Sequence, residues 1–245
     1  MDTLPQTRPS LRVDGQEIPY QEGQTVLQAA LAAGLKIPHL CYHPELEPIG
    51  SCRLCLVEVA GRTLAACTLP AADGQAVASA SASAALRKHR QTLAGLLLAA
   101  GRHLCVSCER TGDCRLQETA ADLNAPATPP SRSQDLPARD DSHPDVALDR
   151  GRCILCGICV QASQTLDGKN IFAFSGNGGQ ARLAVDSASG LLKDSAIAAE
   201  DHAIRLCPVG ALIVKQDRAE TGPGFSAMDF FDATDWNGAG PDAQP

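Results

Sequence analysis

Eleven cysteines are the feature that most constrains what this chain of 245 residues folds into. Such a length suits one large domain or two to three small ones. We expect the chain to stay in the cytoplasm, because its start, "MDTLPQTRPS", lacks the basic and apolar regions of a signal peptide. Cytoplasmic thiols are kept reduced, and the odd count argues against complete pairing. The cysteines are therefore predicted to bind metals or clusters rather than to form disulfides.

Charge and hydropathy argue against nucleic acid and membranes as partners. The net charge of −7 and the pI near 5.3 argue against nucleic acid and anionic membrane surfaces. The longest apolar run, "LAGLLLAAG" at 93–101, is too short to span a bilayer. Because only 3% of the residues are aromatic, the core is expected to consist mostly of Ala, Leu, Val and Ile.

The strongest signal is the stretch "CILCGIC", which holds Cys153, Cys156 and Cys159 with two residues between successive cysteines. Three cysteines at this spacing wrap three corners of a [4Fe–4S] cubane, and a distant Cys followed by Pro supplies the fourth ligand. Cys207 in "CPVG" fits that role. Zinc gains nothing from this double spacing, so a cubane is predicted.

A second cubane in the same unit is not expected. Bacterial two-cluster ferredoxins place a further Cys-Pro three residues after the triple-cysteine run. Here that position is Ser163. The cysteines of the second run would fall at three other positions, which are Ile197, Glu200 and Ala203.

The first cysteine group is Cys41, Cys52, Cys55 and Cys67, with the spacing C-x10-C-x2-C-x11-C. A long loop, a C-x2-C pair and a distant fourth Cys are typical of a plant-type [2Fe–2S] site, although the first gap here is longer. Gly50 and Ser51 precede the pair, where a tight loop can direct N–H groups at sulfide. A four-thiolate zinc site is the alternative. Since zinc sites pair C-x2-C with another short-spaced pair, the binuclear cluster is favoured.

The middle group has only three cysteines: Cys105, Cys108 and Cys114. Since the outer groups use the other eight, the fourth ligand must be another side chain, a substrate or solvent. His103 is the favoured candidate, because it lies two residues before Cys105 and imidazole is an accepted cluster ligand. The alternative is a surface or capping role, since a cation is favoured where a helix ends.

Local patterns predict an α+β fold with three units. "LRVDGQEIPY" indicates a hairpin turning at Asp14-Gly15, "TVLQAALAAG" a helix that Thr25 caps and Gly34 ends, and "RLCLVEVAGRTLAACT" a hairpin around Gly61. This order favours a β-grasp-like ferredoxin arrangement. A helix is predicted from 83 to about 100, with four leucines on one side: Leu86, Leu93, Leu96 and Leu97.

The domain boundaries follow from composition. We predict a [2Fe–2S] ferredoxin-like domain at 9–82, a small helical domain with the histidine and three cysteines at 83–123, and a bacterial-ferredoxin-like [4Fe–4S] domain at 146–215. Residues 124–145 are rich in Pro, Ser and Asp and are expected to form a linker or extended strap. The acidic tail at 216–245 is either a loosely packed end or, through its aromatic residues, a docking element: Phe225, Phe230, Phe231 and Trp236.

Together these motifs resemble a known family over residues 11–215. The stretches "IPHLCYHPELEPIGSCRLCLVEV", "AACT", "CVSCERTGDCRLQ", "RCILCGICV" and "CPVGAL" are similar to the N-terminal iron–sulfur region of the large complex I iron–sulfur subunit. They are closer to the small iron–sulfur diaphorase subunit, the gamma subunit, of NAD-reducing [NiFe] hydrogenases. One departure concerns the middle set: complex I relatives carry the His four residues before the first Cys, where this chain has Gly101. The diaphorase subunits resemble this chain in having it two before.

The resemblance implies one [2Fe–2S] cluster and two [4Fe–4S] clusters. Each implied ligand set has four members: Cys41, Cys52, Cys55 and Cys67 for the binuclear cluster; His103, Cys105, Cys108 and Cys114 for one cubane; and Cys153, Cys156, Cys159 and Cys207 for the other. No catalytic residue is implied.

The implied function is electron relay between an FMN/NAD(H)-binding diaphorase subunit and the small and large subunits of a [NiFe] hydrogenase. No glycine-rich dinucleotide motif is found: the stretch "SGNGGQ" at 175–180 lacks the strand–turn–helix context of such a site and is predicted to be a hairpin turn. FMN, NAD and the NiFe centre are therefore expected on partner subunits. Two related alternatives stay open, a relay subunit of an NAD-linked formate dehydrogenase and one of a complex I-like NADH dehydrogenase; a zinc-binding structural module is a remote third.

Overall fold

The computed structural model describes residues 9–126 and 138–215. The predictions for the tail at 216–245 and for residues 127–137 of the linker fall outside these ranges. The described chain is a mixture of helices and short strands, as expected for an α+β fold.

The first unit contains one helix and five strands. In chain order these elements are β1 (Ser10–Val13), β2 (Gln16–Pro19), α1 (Val26–Ala32), β3 (Leu56–Val59), β4 (Arg62–Ala65) and β5 (Ala76–Val77). Strand β1 pairs antiparallel with β2 and parallel with β5, while β3 pairs antiparallel with β4. Glu58 of β3 and Ala78 exchange two backbone hydrogen bonds of 2.9 Å, which join the two sheets beside β5.

Both predicted hairpin turns are confirmed. Asp14 and Gly15 have φ of 52° and 84°, and Ala60 and Gly61 have φ of 48° and 75°. Two successive residues with positive φ form the turn whose twist matches that of antiparallel strands. The turns fix the register, so that Leu11 faces Ile18 in the first hairpin.

The limits of α1 follow the predicted signals. The side chain of Thr25 accepts a hydrogen bond from the backbone N–H of Gln28, whose side chain accepts one from the N–H of Thr25, completing a capping box. Gly34 has φ of 77°, a left-handed conformation that ends the helix at low cost.

Helix α2 (Ala84–Ala100) begins at Ser83, whose hydroxyl accepts from the N–H of Leu86. Its buried positions include Leu86, Arg90 and Ala94, at successive spacings of four residues. The prediction that Leu96 shares this side is wrong: its side chain is 54% exposed. Ten residues after Leu86, at 100° per residue, Leu96 is turned well away from the buried line.

The second unit continues from α2 through a loop into α3 (Arg115–Asp122). The third unit consists of two antiparallel strand pairs and two short helices. Its elements are β6 (Val146–Leu148), α4 (Ile158–Thr165), β7 (Phe172–Ser175), β8 (Arg182–Val185), α5 (His202–Arg205) and β9 (Leu212–Val214). Strand β6 pairs with β9, and β7 with β8. The stretch "SGNGGQ" connects β7 to β8, as predicted for a hairpin turn.

The described end of the predicted linker, residues 138–145, packs against the third unit. Asp140 exchanges two backbone hydrogen bonds with Leu148 of β6, and its carboxylate accepts from the N–H of Leu192 at 2.9 Å. Since Asp140 is only 5% exposed, this segment is part of a packed surface and not a free strap.

Two hydrophobic cores underlie the fold. One belongs to the first unit and is built on Leu11, Ile18 and Leu27. The other joins the second and third units and also takes in Leu40 and Leu54 from the first. The loop between α1 and β3 therefore lies where the two cores meet.

Candidate iron–sulfur cluster sites

The first cysteine group comes together on the loop between α1 and β3 and at the end of β4. All four side chains are buried, with exposures between 1% and 8%. Cys41 Sγ accepts hydrogen bonds from the thiols of Cys52 and Cys67, and the Cys67 thiol is also within hydrogen-bond distance of Cys55 Sγ. The four sulfurs therefore converge on one region.

Backbone N–H groups surround these sulfurs. The N–H of Cys52 donates to Cys41 Sγ at 3.3 Å, and the N–H of Leu40 donates to Cys52 Sγ at 3.4 Å. Donation from the thiols of Cys52 and Cys67, and from the N–H groups of Cys52 and Ser51, lowers the pKa of Cys41 far below the usual range. The loop thus supplies the stabilisation that an anionic thiolate ligand needs. Gly50 makes this loop tight, with a φ of 65°.

The third cysteine group lies on the turn into α4 and just after α5. Leu155 and Gly157 have φ of 54° and 80°, so the chain curls and brings Cys153, Cys156 and Cys159 to one side. Burial raises the pKa of all three thiols, that of Cys153 to about 11, and the electrostatic effect of the neighbouring Cys207 raises each further. Four sulfurs again share one buried region.

The positions where a second cubane would need cysteines hold residues of the packed interior. Ser163, at the position of the missing cysteine, is fully buried, and its hydroxyl accepts from the N–H of Ile171 at 2.7 Å. Ile197 and Ala203 are also buried in the apolar core. None of these side chains offers a thiolate to iron.

The middle group occupies the loop between α2 and α3. Cys105 opens a single helical turn, and Cys114 immediately precedes α3, whose N–H groups at Leu116 and Gln117 donate to its sulfur. Burial raises the pKa of Cys105 and Cys114, and the charge of Cys108 raises both further. The three thiols are therefore near neighbours, and the N-terminus of α3 favours negative charge among them.

His103 has the properties of a neutral ligand. Its Nε2 is buried and makes no hydrogen bond within the described part of the chain. Burial, together with the positive charge of Arg152, lowers the pKa of the imidazole to about 4, against the opposing charge of Asp149. The ring lies against Gly101, where an added Cβ would approach Nε2 to 2.6 Å. A buried nitrogen without a proton partner fits an iron ligand, because metal binding uses the neutral imidazole.

The third site contacts both of the others. Ser51, beside Cys52, donates its hydroxyl to the carbonyl of Leu155 at 3.0 Å. On the opposite side, the carbonyl of Pro208 accepts from the N–H of Arg115 at 3.0 Å and lies 3.9 Å from Cys114 Sγ.

An ion-pair network joins the middle loop to the third site. Glu109 lies 2.6 Å from Arg152 and also pairs with Arg139. Arg152 in turn lies 3.2 Å from Asp149. These arginines hold the pKa of Glu109 down at about 2, although burial alone would raise it. Glu109 could not be singled out from the sequence, because its partners Arg139 and Arg152 lie 30 and 43 positions away.

Within residues 9–126 and 138–215, no group of three or more His, Cys, Asp or Glu is arranged to hold a single metal ion.

None of the helices in residues 9–126 and 138–215 is long and apolar enough to cross a membrane.

Three family models match successive parts of the chain. They are a 2Fe-2S iron-sulfur cluster binding domain at residues 6–82, the NADH-ubiquinone oxidoreductase-G iron-sulfur binding region at 90–128 and a 4Fe-4S single cluster domain at 146–214. The fold and the cysteine groups thus define an iron–sulfur electron-transfer subunit with 2Fe–2S and 4Fe–4S domains.

Relatives narrow this class. The chain is 32% identical over 212 residues to the NAD-reducing hydrogenase HoxS subunit gamma of Cupriavidus necator. This match covers 84% of this chain and 87% of that protein. It also matches a chain in the crystal structure of an NAD+-reducing [NiFe]-hydrogenase in the H2-reduced state, with a TM-score of 0.83 and 48% identity over 89% of this chain and 92% of that one. The chain belongs to the family of gamma subunits of NAD-reducing hydrogenases.

A second set of relatives is longer. The NADH-quinone oxidoreductase subunits G of Mycobacterium bovis and Streptomyces coelicolor are 33% and 32% identical over 83% and 89% of this chain. The match spans about a quarter of each, 25% and 26% of their lengths.

Proposed function

We propose that the chain relays single electrons through one [2Fe–2S] and two [4Fe–4S] clusters between an FMN/NAD(H)-binding diaphorase subunit and the small and large subunits of a [NiFe] hydrogenase. In this role it couples H2 oxidation to NAD+ reduction in the cytoplasm. FMN, NAD and the NiFe centre sit on the partner subunits. The similarity to the HoxS gamma subunit over most of both chains supports this choice of partners.

The observation that carries the relay is the position of the third site between the other two. In the third site, the carbonyl of Leu155 accepts a hydrogen bond from Ser51 of the first site. The carbonyl of Pro208 accepts one from the N–H of Arg115 of the middle site. Electron transfer needs clusters at close quarters, and these contacts provide a continuous order: first, third, middle. The order along the relay thus differs from the order along the sequence.

The ligands are those that the motifs predict. Cys41, Cys52, Cys55 and Cys67 hold the binuclear cluster, Cys153, Cys156, Cys159 and Cys207 one cubane, and His103 with Cys105, Cys108 and Cys114 the other. The converging sulfurs and the unpartnered Nε2 of His103 support this assignment. When bound, the clusters supply one-electron redox chemistry, and the chain supplies burial, N–H···S bonds and fixed charge, which set their potentials.

Histidine ligation makes the two cubanes unequal. A neutral imidazole in place of a thiolate removes one negative charge from the middle cluster. Its potential should therefore lie above that of an all-cysteine cubane in the same setting, as His ligation raises the potential of Rieske centres.

A complex I-like NADH dehydrogenase is the second candidate, because the subunits G match nearly as well over this chain. Purification of the native complex, with metal analysis, separates the candidates. Nickel in a partner subunit is the expected result. A complex without nickel would refute the hydrogenase assignment, and molybdenum or tungsten would indicate a formate dehydrogenase.

Cluster content is tested on anaerobically prepared protein. One binuclear and two cubane clusters require about ten irons and ten sulfides per chain. A value near four would contradict the three-cluster proposal, and a colourless, zinc-containing protein would contradict iron–sulfur binding altogether.

A further inference from the structure

Arg90 is a buried cation on the inner side of α2. The residue is only 3% exposed, and it lies among the apolar residues that pack the helix onto the first unit. One guanidinium nitrogen donates to the carbonyl of Leu56 at 2.8 Å. The Nε is buried and has no hydrogen-bond partner in the described part of the chain.

No carboxylate in the described ranges forms an ion pair with this guanidinium. Arg90 forms no ion pair within residues 9–126 and 138–215, whereas Arg102, Arg110, Arg139 and Arg152 each form at least one. The nearby acidic side chains are engaged elsewhere: Asp14 accepts from the backbone and hydroxyl of Ser79, and Glu58 accepts from Ser83. A buried charge without a counter-charge is strongly unfavourable, so the fold must provide compensation from another source.

The compensating group is indicated by what surrounds the guanidinium. Burial lowers the pKa of Arg90, and the two anions that act against this are the Cys55 thiolate first and Asp14 second. The carbonyl that Arg90 holds belongs to Leu56, the residue next to Cys55. The cation thus faces the first cluster site from the α2 side.

We propose that Arg90 is the buried counter-charge of the [2Fe–2S] cluster. This inference rests on the proposed function, since it requires the cluster to be present. A ferric binuclear cluster with four thiolates carries a net charge of about −2, which becomes about −3 on one-electron reduction. A fixed cation at low exposure favours the more negative, reduced state and raises the reduction potential.

The test is a redox titration of the whole chain, followed through the EPR signal of the reduced [2Fe–2S] cluster. In the R90M variant, a side chain of similar length fills the space without charge. We expect the equilibrium constant for reduction to fall at least tenfold, which for a one-electron couple is about 59 mV toward more negative potential. The cubane signals serve as internal references.

Arg87→Met is the matched control. Arg87 lies on the same helix and also donates to backbone carbonyls, those of Ala80 and Ser81, but it is exposed. Solvent screens its charge, so R87M should leave the potential of the [2Fe–2S] cluster unchanged.

A purely structural Arg90 would only clasp α2 to Leu56. In that case R90M would lower stability without moving the potential, and the proposal would be overturned. R90K should keep a potential close to that of the wild type, because it preserves the charge; a shift as large as that of R90M would also overturn the proposal. If R90M does not load the cluster, R90K and R90Q replace the comparison, with only R90Q expected to shift.

Failure of the two proposals can be told apart. A wild-type chain without any reduced [2Fe–2S] signal would refute the proposed function. A wild-type signal that R90M leaves at the same potential would refute only the role of Arg90.

Discussion

At the scale of single residues, the proposed assignment that most needs testing is that of His103 as the fourth ligand of the middle cubane. Its buried Nε2, which has no hydrogen-bond partner in residues 9–126 and 138–215, and its lowered pKa are the properties of a neutral imidazole that can bind iron. Sequence spacing alone selects it only because the other eight cysteines fill two complete sets.

Two variants of His103 should separate ligand from bystander. H103C replaces an imidazole by a thiolate and should lower the potential of the middle cubane, because the cluster gains one negative charge. H103A should abolish or alter that cluster's EPR signal. His89→Ala, on the exposed side of α2, is the control and should change neither. An H103A protein with an unaltered signal and potential would exclude His103 as the ligand.

Ser163 offers a test of structure without redox chemistry. In S163A the buried N–H of Ile171 loses its acceptor, which should cost about 1–3 kcal/mol in the free energy of unfolding. Ser187→Ala removes an exposed hydroxyl that donates to Leu191 and should cost about 0.5 kcal/mol or less. Anaerobic urea unfolding measures both, and equal effects would contradict the view that Ser163 supports the core.

At the scale of elements, helix α5 depends on a side chain outside it. The helix has four residues, too few to be stable alone. The carboxylate of Asp167 accepts from the N–H groups of His202 and Ala203, and its side chain is 3% exposed. Through α5, this contact fixes the position of Cys207.

The Asp167 contact should make stability depend on pH. Burial alone would raise the pKa of Asp167, but the N–H groups of Ala203 and His202 outweigh it and hold the pKa below the ordinary 3.8. A depressed pKa contributes stability above 3.8, and that contribution is lost as pH falls through the folded value. D167N should therefore be less stable than the wild type by about 1–3 kcal/mol at pH 7, with the difference narrowing below pH 4.

Urea unfolding of D167N and the wild type at pH 7 and at a pH below 4 measures this difference in stability. Asp186→Asn, an exposed position on the same unit, is the control and should leave the curve within about 0.5 kcal/mol of the wild type. A D167N deficit that stays constant at both pH values would contradict the role of the carboxylate charge.

Local elements were predictable from the sequence because their signals are local. The Asp14-Gly15 turn and the Thr25 cap each act within three or four residues, and each works as expected. The packed segment at 138–145 could not be foreseen, because Asp140 finds its partner at Leu192. The role of Arg90 had a visible signal, a charge four residues after Leu86 on the apolar line of α2, whose meaning depends on a neighbouring strand.

At the scale of the whole molecule, the spatial order of the sites could not be predicted from the sequence. The hydrogen bonds between the sites span about a hundred positions of the chain. They join Ser51 to Leu155, 104 positions apart, and Arg115 to Pro208. No spacing rule reports such contacts. The cysteine groups define what each site holds, while the tertiary fold defines which sites are neighbours.

Loss of the central site should therefore disturb more than loss of the first. C67S should remove about two irons per chain and leave both cubane EPR signals intact, because Cys67 lies in the core of the first unit. C207S should remove about four irons and also shift the signals of the other two clusters. Unchanged signals of the first and middle clusters in C207S would contradict the central position of the third site.

The pairing of β6 with β9 has a consequence for synthesis on the ribosome. The four proposed ligands of the first site are all present once residue 67 has been made, whereas the proposed third site requires Cys207, which the strand at Leu212–Val214 follows. Lys215 completes this closure by donating to the carbonyls of Asp141 and His143. The proposed central site is thus enclosed last, because the strand and the lysine that close it are synthesised after all of the proposed ligands.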